Sequence, residues 1–364
     1  MVLMGFPRKV ICAMATSLSK TGSGVQARGA IAGTGRTSWQ DGTVFVLPHA
    51  VAAMAARGPQ WQAWVDRLPA IVTGQLRDWS LTPDGVPAHG FCSVVLPVRA
   101  DDGSAAVLKV AFPDDESEHE HLALRRWGGA GAVRLLRADP HRRAMLLERL
   151  HERNLNELWD IEACEVVAGL YTRIHVAALP QLRPLAGFIR EWTAELRKLP
   201  RSAAVPRRLV EQAISLGTDL AEDPASGGTL IHGDLHYENV LAADREPWLV
   251  IDPKPMSGDP HYEIAPMLFD RFDELEGYVR EGVRRRFHTM VDAAGFDADV
   301  AVLSLEGDVD KLVKAGLVKQ DWNKGPARGV ITRSLVVIGG RPGNPTAVAD
   351  WDGLAPPGAG APCP

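Results

Sequence analysis

The chain is short of cysteine, of positive charge and of long apolar runs. Its four cysteines, Cys12, Cys92, Cys164 and Cys363, lie far apart with no paired spacing. That pattern excludes a thiolate zinc site and a disulfide framework, and it points to a reduced, cytoplasmic protein. With 40 Lys and Arg against 45 Asp and Glu, the formal net charge is -5. The basic excess of a nucleic-acid binder is therefore missing. No run of about 18 apolar residues is present to span a bilayer. The one leader-like stretch, Arg8-Lys9 followed by Val10 to Leu18, is short and lacks a small-residue cleavage site, so secretion is not expected. The expected partners are small molecules, with no nucleic acid and no membrane.

At 364 residues the chain exceeds the size at which one core usually stops growing, so two lobes with a cleft are expected. Residues 1 to 44 are rich in Gly, Ser, Thr and Ala without a sustained period, and read as a loosely ordered leader. Two glycine clusters there, Gly22-Ser23-Gly24 and Gly33-Thr34-Gly35, mimic nucleotide fingerprints but lack a strand–turn–helix setting.

From Phe45 the pattern tightens. Trp61, Trp64, Leu68, Val72, Leu76 and Trp79 recur at three- and four-residue steps, an amphipathic helical region with a break expected at Pro69. Ser93 to Val98 and Ala105 to Ala111 read as strands about an Asp102-Gly103 turn. A helix over Glu116 to Trp127 follows, then strands at Ala132 to Leu136 and Ala144 to Leu147 around Asp139-Pro140. Beyond Leu150 the spacing predicts helices over Ile161 to His175, Leu185 to Leu199 and Arg207 to Ala221. A short hairpin at Val240-Leu241 and Trp248 to Ile251 interrupts them, and helices resume after Tyr262 up to about Ala294. Residues 302 to 364 are rich in Gly and Pro, with little helix expected.

The chemistry gathers in His232-Gly233-Asp234-Leu235-His236-Tyr237-Glu238-Asn239 and in Ile251-Asp252-Pro253. An Asp, an Asn five residues on and a second Asp eighteen residues on is the spacing of a phosphoryl-transfer site. Asp234 is the candidate base. Asn239 and Asp252 are the candidate Mg²⁺ ligands, since Mg²⁺ takes oxygen donors and completes its shell with water and phosphate. His232 is expected to lock the loop by hydrogen bonding. Lys109, in the apolar strand Ala106-Val107-Leu108-Lys109-Val110, is the candidate for the α and β phosphates, with Glu120 preferred over Glu116 and Glu118 as its carboxylate. The segment Gly85 to Ser93 has two glycines and no GxGxxG, so Ser93 and nearby amides are the expected cover on the phosphates. His236 stands where protein kinases place a Lys, and Lys254 is the candidate to supply that charge.

These residues resemble the aminoglycoside phosphotransferase family, most closely its streptomycin 6-kinase and hydroxyurea phosphotransferase branch. The resemblance runs from about Phe45 to Val300. It is carried by WQAWVDRLP (Trp61 to Pro69), AVLKV (Ala106 to Val110), GAVRLL (Gly131 to Leu136), LLERL (Leu146 to Leu150), HGDLHYEN (His232 to Asn239) and IDPKPMSGDP (Ile251 to Pro260). It implies an α+β, bilobal protein-kinase-like fold, with a small N-terminal lobe built on an antiparallel sheet and a mainly helical C-terminal lobe. It also implies ATP and Mg²⁺, with Asp234 matching the family's catalytic Asp and Asn239 and Asp252 its metal ligands. The expected division is a leader over 1–44, a nucleotide-binding lobe over 45–149, a catalytic and acceptor-binding lobe over 150–300, and a tail over 301–364 that departs from the family.

Only thirteen residues separate Asp252 from Pro266, too few for a peptide-docking segment, so a small-molecule acceptor is favoured. Residues 259 to 281 carry seven carboxylates, Asp270, Asp273 and Glu274 at their centre, against Arg271 and Arg280. Such a field attracts a cationic aminocyclitol such as streptomycin. Hydroxyurea, small and neutral, is the alternative acceptor, and an inactive nucleotide-binding remnant is the alternative of a different class.

Overall fold

A computed structural model describes residues 45–200, 207–275 and 278–296; the expected leader with its two glycine clusters, and the expected tail, lie outside the described residues. The described chain divides into two units, residues 45–121 with Val133–Arg149, and Leu122–Ala132 with residues 150–296.

The first unit opens with helix α1 (His49–Ala53), a 3-10 turn (Met54–Arg57) and helix α2 (Pro59–Asp78). Helix α2 does not break at Pro69. A mid-helix proline forfeits one hydrogen bond and clashes with the carbonyl four residues back, a cost of about 3 kcal/mol. Against it, Trp64, Val65, Leu68 and Val72 are buried on both sides of the proline in one continuous face. At about 1.5–3 kcal/mol for each buried side chain, that face outweighs the local cost.

Strands β1 (Thr82–Pro83), β2 (Ala88–His89), β3 (Ser93–Arg99) and β4 (Ala105–Ala111) come next. Helix α3 (Glu120–Trp127) starts four residues later than its spacing suggests. Asp114 Oδ1 accepts both the backbone N–H and the hydroxyl of Ser117, each at 2.7 Å, and this local turn competes with the helix. Strands β5 (Leu135–Asp139) and β6 (Ala144–Glu148) complete an antiparallel sheet of order β1-β3-β4-β6-β5, with β2 on β3. Strand β4 pairs with β3 and β6, so Lys109 lies on an interior strand. The core packs Trp64, Leu68 and Val72 with Leu96, Leu108 and Leu146.

The second unit is mainly helical. Its elements are α4 (Asp160–Ile174), β7 (Val176–Ala177), β8 (Arg183–Pro184), α5 (Leu185–Lys198), α6 (Arg207–Glu222), β9 (Thr229–Ile231), β10 (Val240–Ala242), β11 (Trp248–Val250), β12 (Met256–Gly258), α7 (Ile264–Phe269) and α8 (Val279–Ala294). The β10–β11 hairpin is antiparallel, as its sequence suggests. A small sheet of order β7-β9-β12-β8 was not foreseen, its strands being two or three residues long. It sets Ile231, just before the Asp234 loop, opposite Met256, just after the Asp252 segment. Helices α4 and α8 are bolted by a buried ion pair, Arg286 Nε to Asp160 Oδ2 at 3.0 Å. No helix among the described residues is long and apolar enough to cross a membrane.

Replacing Pro69 with Ala should raise the unfolding free energy by about 1–3 kcal/mol, since residue 69 regains an N–H for the carbonyl of Val65. Urea denaturation measures it, and a lower midpoint for the variant would contradict this account of α2.

Candidate functional site

In the first unit, Lys109 Nζ lies 2.7 and 2.8 Å from the two carboxylate oxygens of Glu120. The side chains are 6% and 1% exposed, so the pair is held in a low-dielectric interior. Removing either partner would leave a buried charge uncompensated, at a cost of about 3–5 kcal/mol. Glu118, by contrast, is half exposed and 3.6 Å from Arg143. Ser93 is buried at the first position of β3. A Cβ at Gly90 would come within 2.9 Å of the Ser93 hydroxyl, so the two residues are closely packed across the turn.

In the second unit, the loop after β9 is cross-braced to the segment after β11. His232 Nε2 donates to the carbonyl of Ile251 at 2.9 Å, and the Lys254 N–H donates to the carbonyl of His232 at 2.8 Å. The Ile251 N–H donates to the carbonyl of Asn239 at 2.9 Å. Asn239 Nδ2 donates to the Asp234 carbonyl at 2.8 Å, which leaves its amide oxygen for another partner. Asp234, Asn239 and Asp252 thus stand on two segments tied at three points. Gly233 adopts φ +80°, and a Cβ there would meet the Lys254 carbonyl at 2.3 Å, so no other residue fits. Asp252 itself takes φ +55°, a sparsely populated conformation for a non-glycine residue.

Electrostatics separates the groups. Burial pushes the Asp234 carboxyl up, partly offset by the nearby positive charges of His236 and Lys254. Burial pulls His236 down, but the hydrogen bond from its Nδ1 to Asp270 at 3.2 Å and the charge of Asp234 bring it above the ordinary histidine value. His232 is fully buried and is pulled down to about 4. It is the neutral brace: Nε2 donates to Ile251, while Nδ1 accepts from the Asp234 N–H at 3.3 Å. Lys254 Nζ lies 3.0 Å from Asp252 Oδ1.

One residue that sequence reasoning misplaced is Glu263, counted there among the carboxylates that attract a cation. It is fully buried beneath the loop. Its two oxygens accept the N–H groups of Gly233 at 2.6 Å and His232 at 2.8 Å, with His175 Nε2 at 3.4 Å. Its only sequence signal is its place beside the apolar Ile264-Ala265, where a carboxylate must find buried donors. Among the other acidic residues, Asp270 takes His236, and Glu274, 54% exposed, pairs with Arg271 at 2.7 Å. The side chain of Asp273 lies outside the described residues.

The donor set of Asn239 and Asp252 is two hard oxygens, which suits Mg²⁺ completed by phosphate and water. No group of three or more His, Cys, Asp or Glu among the described residues offers a closed metal cage.

Residues 78–302 match the profile of the aminoglycoside/hydroxyurea antibiotic resistance kinases. The chain belongs to this family. Streptomycin 6-kinase of Streptomyces glaucescens is 42% identical over 262 residues, which covers 69% of this chain and 84% of that one. The streptomycin 6-kinase of Streptomyces griseus is 40% identical over 260 residues, with the same coverage. Hydroxyurea phosphotransferase of Kitasatospora aureofaciens is 37% identical over 271 residues, 71% of this chain and 77% of that one. The described units have the α+β class expected of the chain, an antiparallel-sheet unit followed by a mainly helical one.

The buried neutral His232 ties stability to pH. Its folded value of about 4 lies below the ordinary 6.5, so between the two the unfolded chain binds more protons. The contribution is complete above pH 6.5 and is lost as pH falls toward 4, roughly 3 kcal/mol in all. His232→Gln keeps a neutral donor for Ile251 and should flatten the decline in thermal midpoint over that window. An unchanged slope in the variant would remove His232 as its source.

Proposed function

We propose that this chain transfers the γ-phosphate of ATP to a hydroxyl of an aminocyclitol antibiotic, streptomycin first, and so inactivates it. The observation that carries the reaction type is the loop bearing Asp234 and Asn239, braced at three points to the segment bearing Asp252. The acceptor rests on the two streptomycin 6-kinases, 42% and 40% identical over most of their length.

In this reading Asp234 accepts the proton of the acceptor hydroxyl. A carboxylate whose pKa is raised by burial is a stronger base than one in water, and the positive charges of His236 and Lys254 favour its ionised form. Asn239 and Asp252 hold Mg²⁺, which when bound neutralises charge on the phosphate oxygens. Lys109, fixed by Glu120, holds the α and β phosphates, and Ser93 with the neighbouring turn covers them. Lys254 carries the charge that protein kinases supply from the position of His236. The carboxylates Asp270, Asp273 and Glu274 draw the cationic acceptor, which at Glu274 exchanges with Arg271.

Hydroxyurea is the second acceptor reading, favoured by the relative at 37% identity. It needs no carboxylate field.

The test is ATP consumption by the purified protein with Mg²⁺, streptomycin and hydroxyurea being offered separately. Streptomycin-dependent turnover should fall about 10²–10⁴-fold in Asp234→Asn with nucleotide affinity retained. Turnover with hydroxyurea alone would move the acceptor to the second reading. Wild-type activity in Asp234→Asn would dismiss the base. Lys254→Ala should lower kcat more than it raises either KM, and unchanged kcat would release Lys254 from its role.

A further inference from the structure

The turn between β2 and β3 has too few glycines to wrap a phosphate by flexibility, yet it is held in place from outside the sheet. Gly90 donates its N–H to the Ser93 carbonyl at 3.0 Å, which closes a tight turn with Phe91 and Cys92 at its centre. The guanidinium of Arg57 lies 4.0 Å from the centroid of the Phe91 ring and 4.7 Å from that of Trp61. The same guanidinium donates to the Phe91 carbonyl at 2.5 Å. Trp61 stacks on Phe112 at 3.9 Å, and the Phe112 N–H donates to the Cys92 carbonyl at 2.7 Å.

Both carbonyls at the centre of the turn are thus taken up, one by Arg57 and one by the residue that Trp61 stacks on. In a planar trans peptide the C=O and the following N–H point in opposite directions. Fixing the carbonyls of Phe91 and Cys92 therefore also fixes the N–H groups of Cys92 and Ser93, each opposite to the carbonyl before it.

We propose that Arg57 is a positioning residue for nucleotide binding: it clamps the Gly90–Ser93 turn between Phe91 and Trp61 so that the turn amides are set to receive phosphate before the nucleotide arrives. The clamp replaces the glycines of an ordinary phosphate loop with a cation–π contact and a charge-assisted hydrogen bond. The inference rests on the reading of this turn as the phosphate cover. Arg57 is exposed and outside the buried core, so its loss acts on the turn and leaves the fold in place.

The experiment is equilibrium binding of ATP and of adenosine to the full chain in Mg²⁺ buffer, with no acceptor present. Losing a cation–π contact and a hydrogen bond should weaken ATP binding about ten-fold in Arg57→Ala. Adenosine affinity and thermal midpoint should hold, and Arg57→Lys should recover part of the loss. Cys92→Asp sets a carboxylate in the turn itself, and it should weaken ATP but not adenosine if the turn faces the phosphates. Weakened ATP binding in Cys92→Asp with none in Arg57→Ala would overturn the clamp and leave the phosphate cover standing. Unchanged ATP binding in both variants, or equal losses of ATP and adenosine, would overturn the clamp together with the reading beneath it.

Discussion

The Asp234 loop depends on one buried carboxylate. Burying a charge costs several kcal/mol unless donors surround it, and Glu263 meets that condition with two successive backbone N–H groups and His175. Two neighbouring N–H groups can aim at one anion only when the backbone curls into a nest, and the positive φ of Gly233 provides the curl. Without a Cβ at Gly233, the carbonyl of Lys254 can approach. That approach lets the Lys254 N–H reach His232 and lets His232 reach Ile251. Asp252 is therefore held against the loop through a sequence of contacts that begins beneath it, at Glu263.

This explains why the site was legible in the sequence only in part. Asp234, Asn239 and Asp252 stand at fixed offsets in two short contiguous motifs, and their residue types follow from the chemistry. Lys109 was legible because a lysine in an apolar strand demands a partner, and Glu120 had the helical spacing to be one. Glu263 left only a faint trace, its place beside the apolar Ile264-Ala265. It bonds to the backbone of residues about thirty positions away, and a backbone donor imposes no side-chain pattern on its partner. The fold divides in the same way. Long helices such as α4 and α8 repeat their apolar positions often enough to be read, whereas β7, β8, β9 and β12 are too short for alternation to register. The break expected at Pro69 failed because local backbone preference was weighed without the core face of α2.

Counting charge along residues 259 to 281 merged carboxylates that do different work. Asp259 accepts from the N–H and ring of His261 and is held below the ordinary range by those bonds despite burial. Glu263 is architectural, and Asp270 anchors His236 while its own carbonyl is held by the buried Arg286 at 2.7 Å. Glu274 is the one among these four that is more than half exposed, and even it is engaged by Arg271. A cationic acceptor would meet a field already partly neutralised by the protein's own arginine and histidine side chains. In the proposed reading, selectivity would then come from exchange of ion pairs, a weaker and more salt-sensitive attraction than the bare sum of charges implies.

Asp234 and Glu263 show how the same burial yields opposite outcomes. Both carboxyls are withdrawn from water, which by itself raises a pKa. At Glu263 the His175 contact and the N–H donors of Gly233 and His232 stabilise the anion more than burial destabilises it, so the group stays ionised and rigid. At Asp234 the compensating charges, His236 and Lys254, are opposed by the negative charges of Asp252 and Glu263, and burial wins. A structural anion needs its charge satisfied; a base needs its charge left partly unsatisfied, so that a proton is worth taking. Fully satisfying Glu263 fixes the loop, and leaving Asp234 short of that raises its pKa, as the proposed role of a base requires.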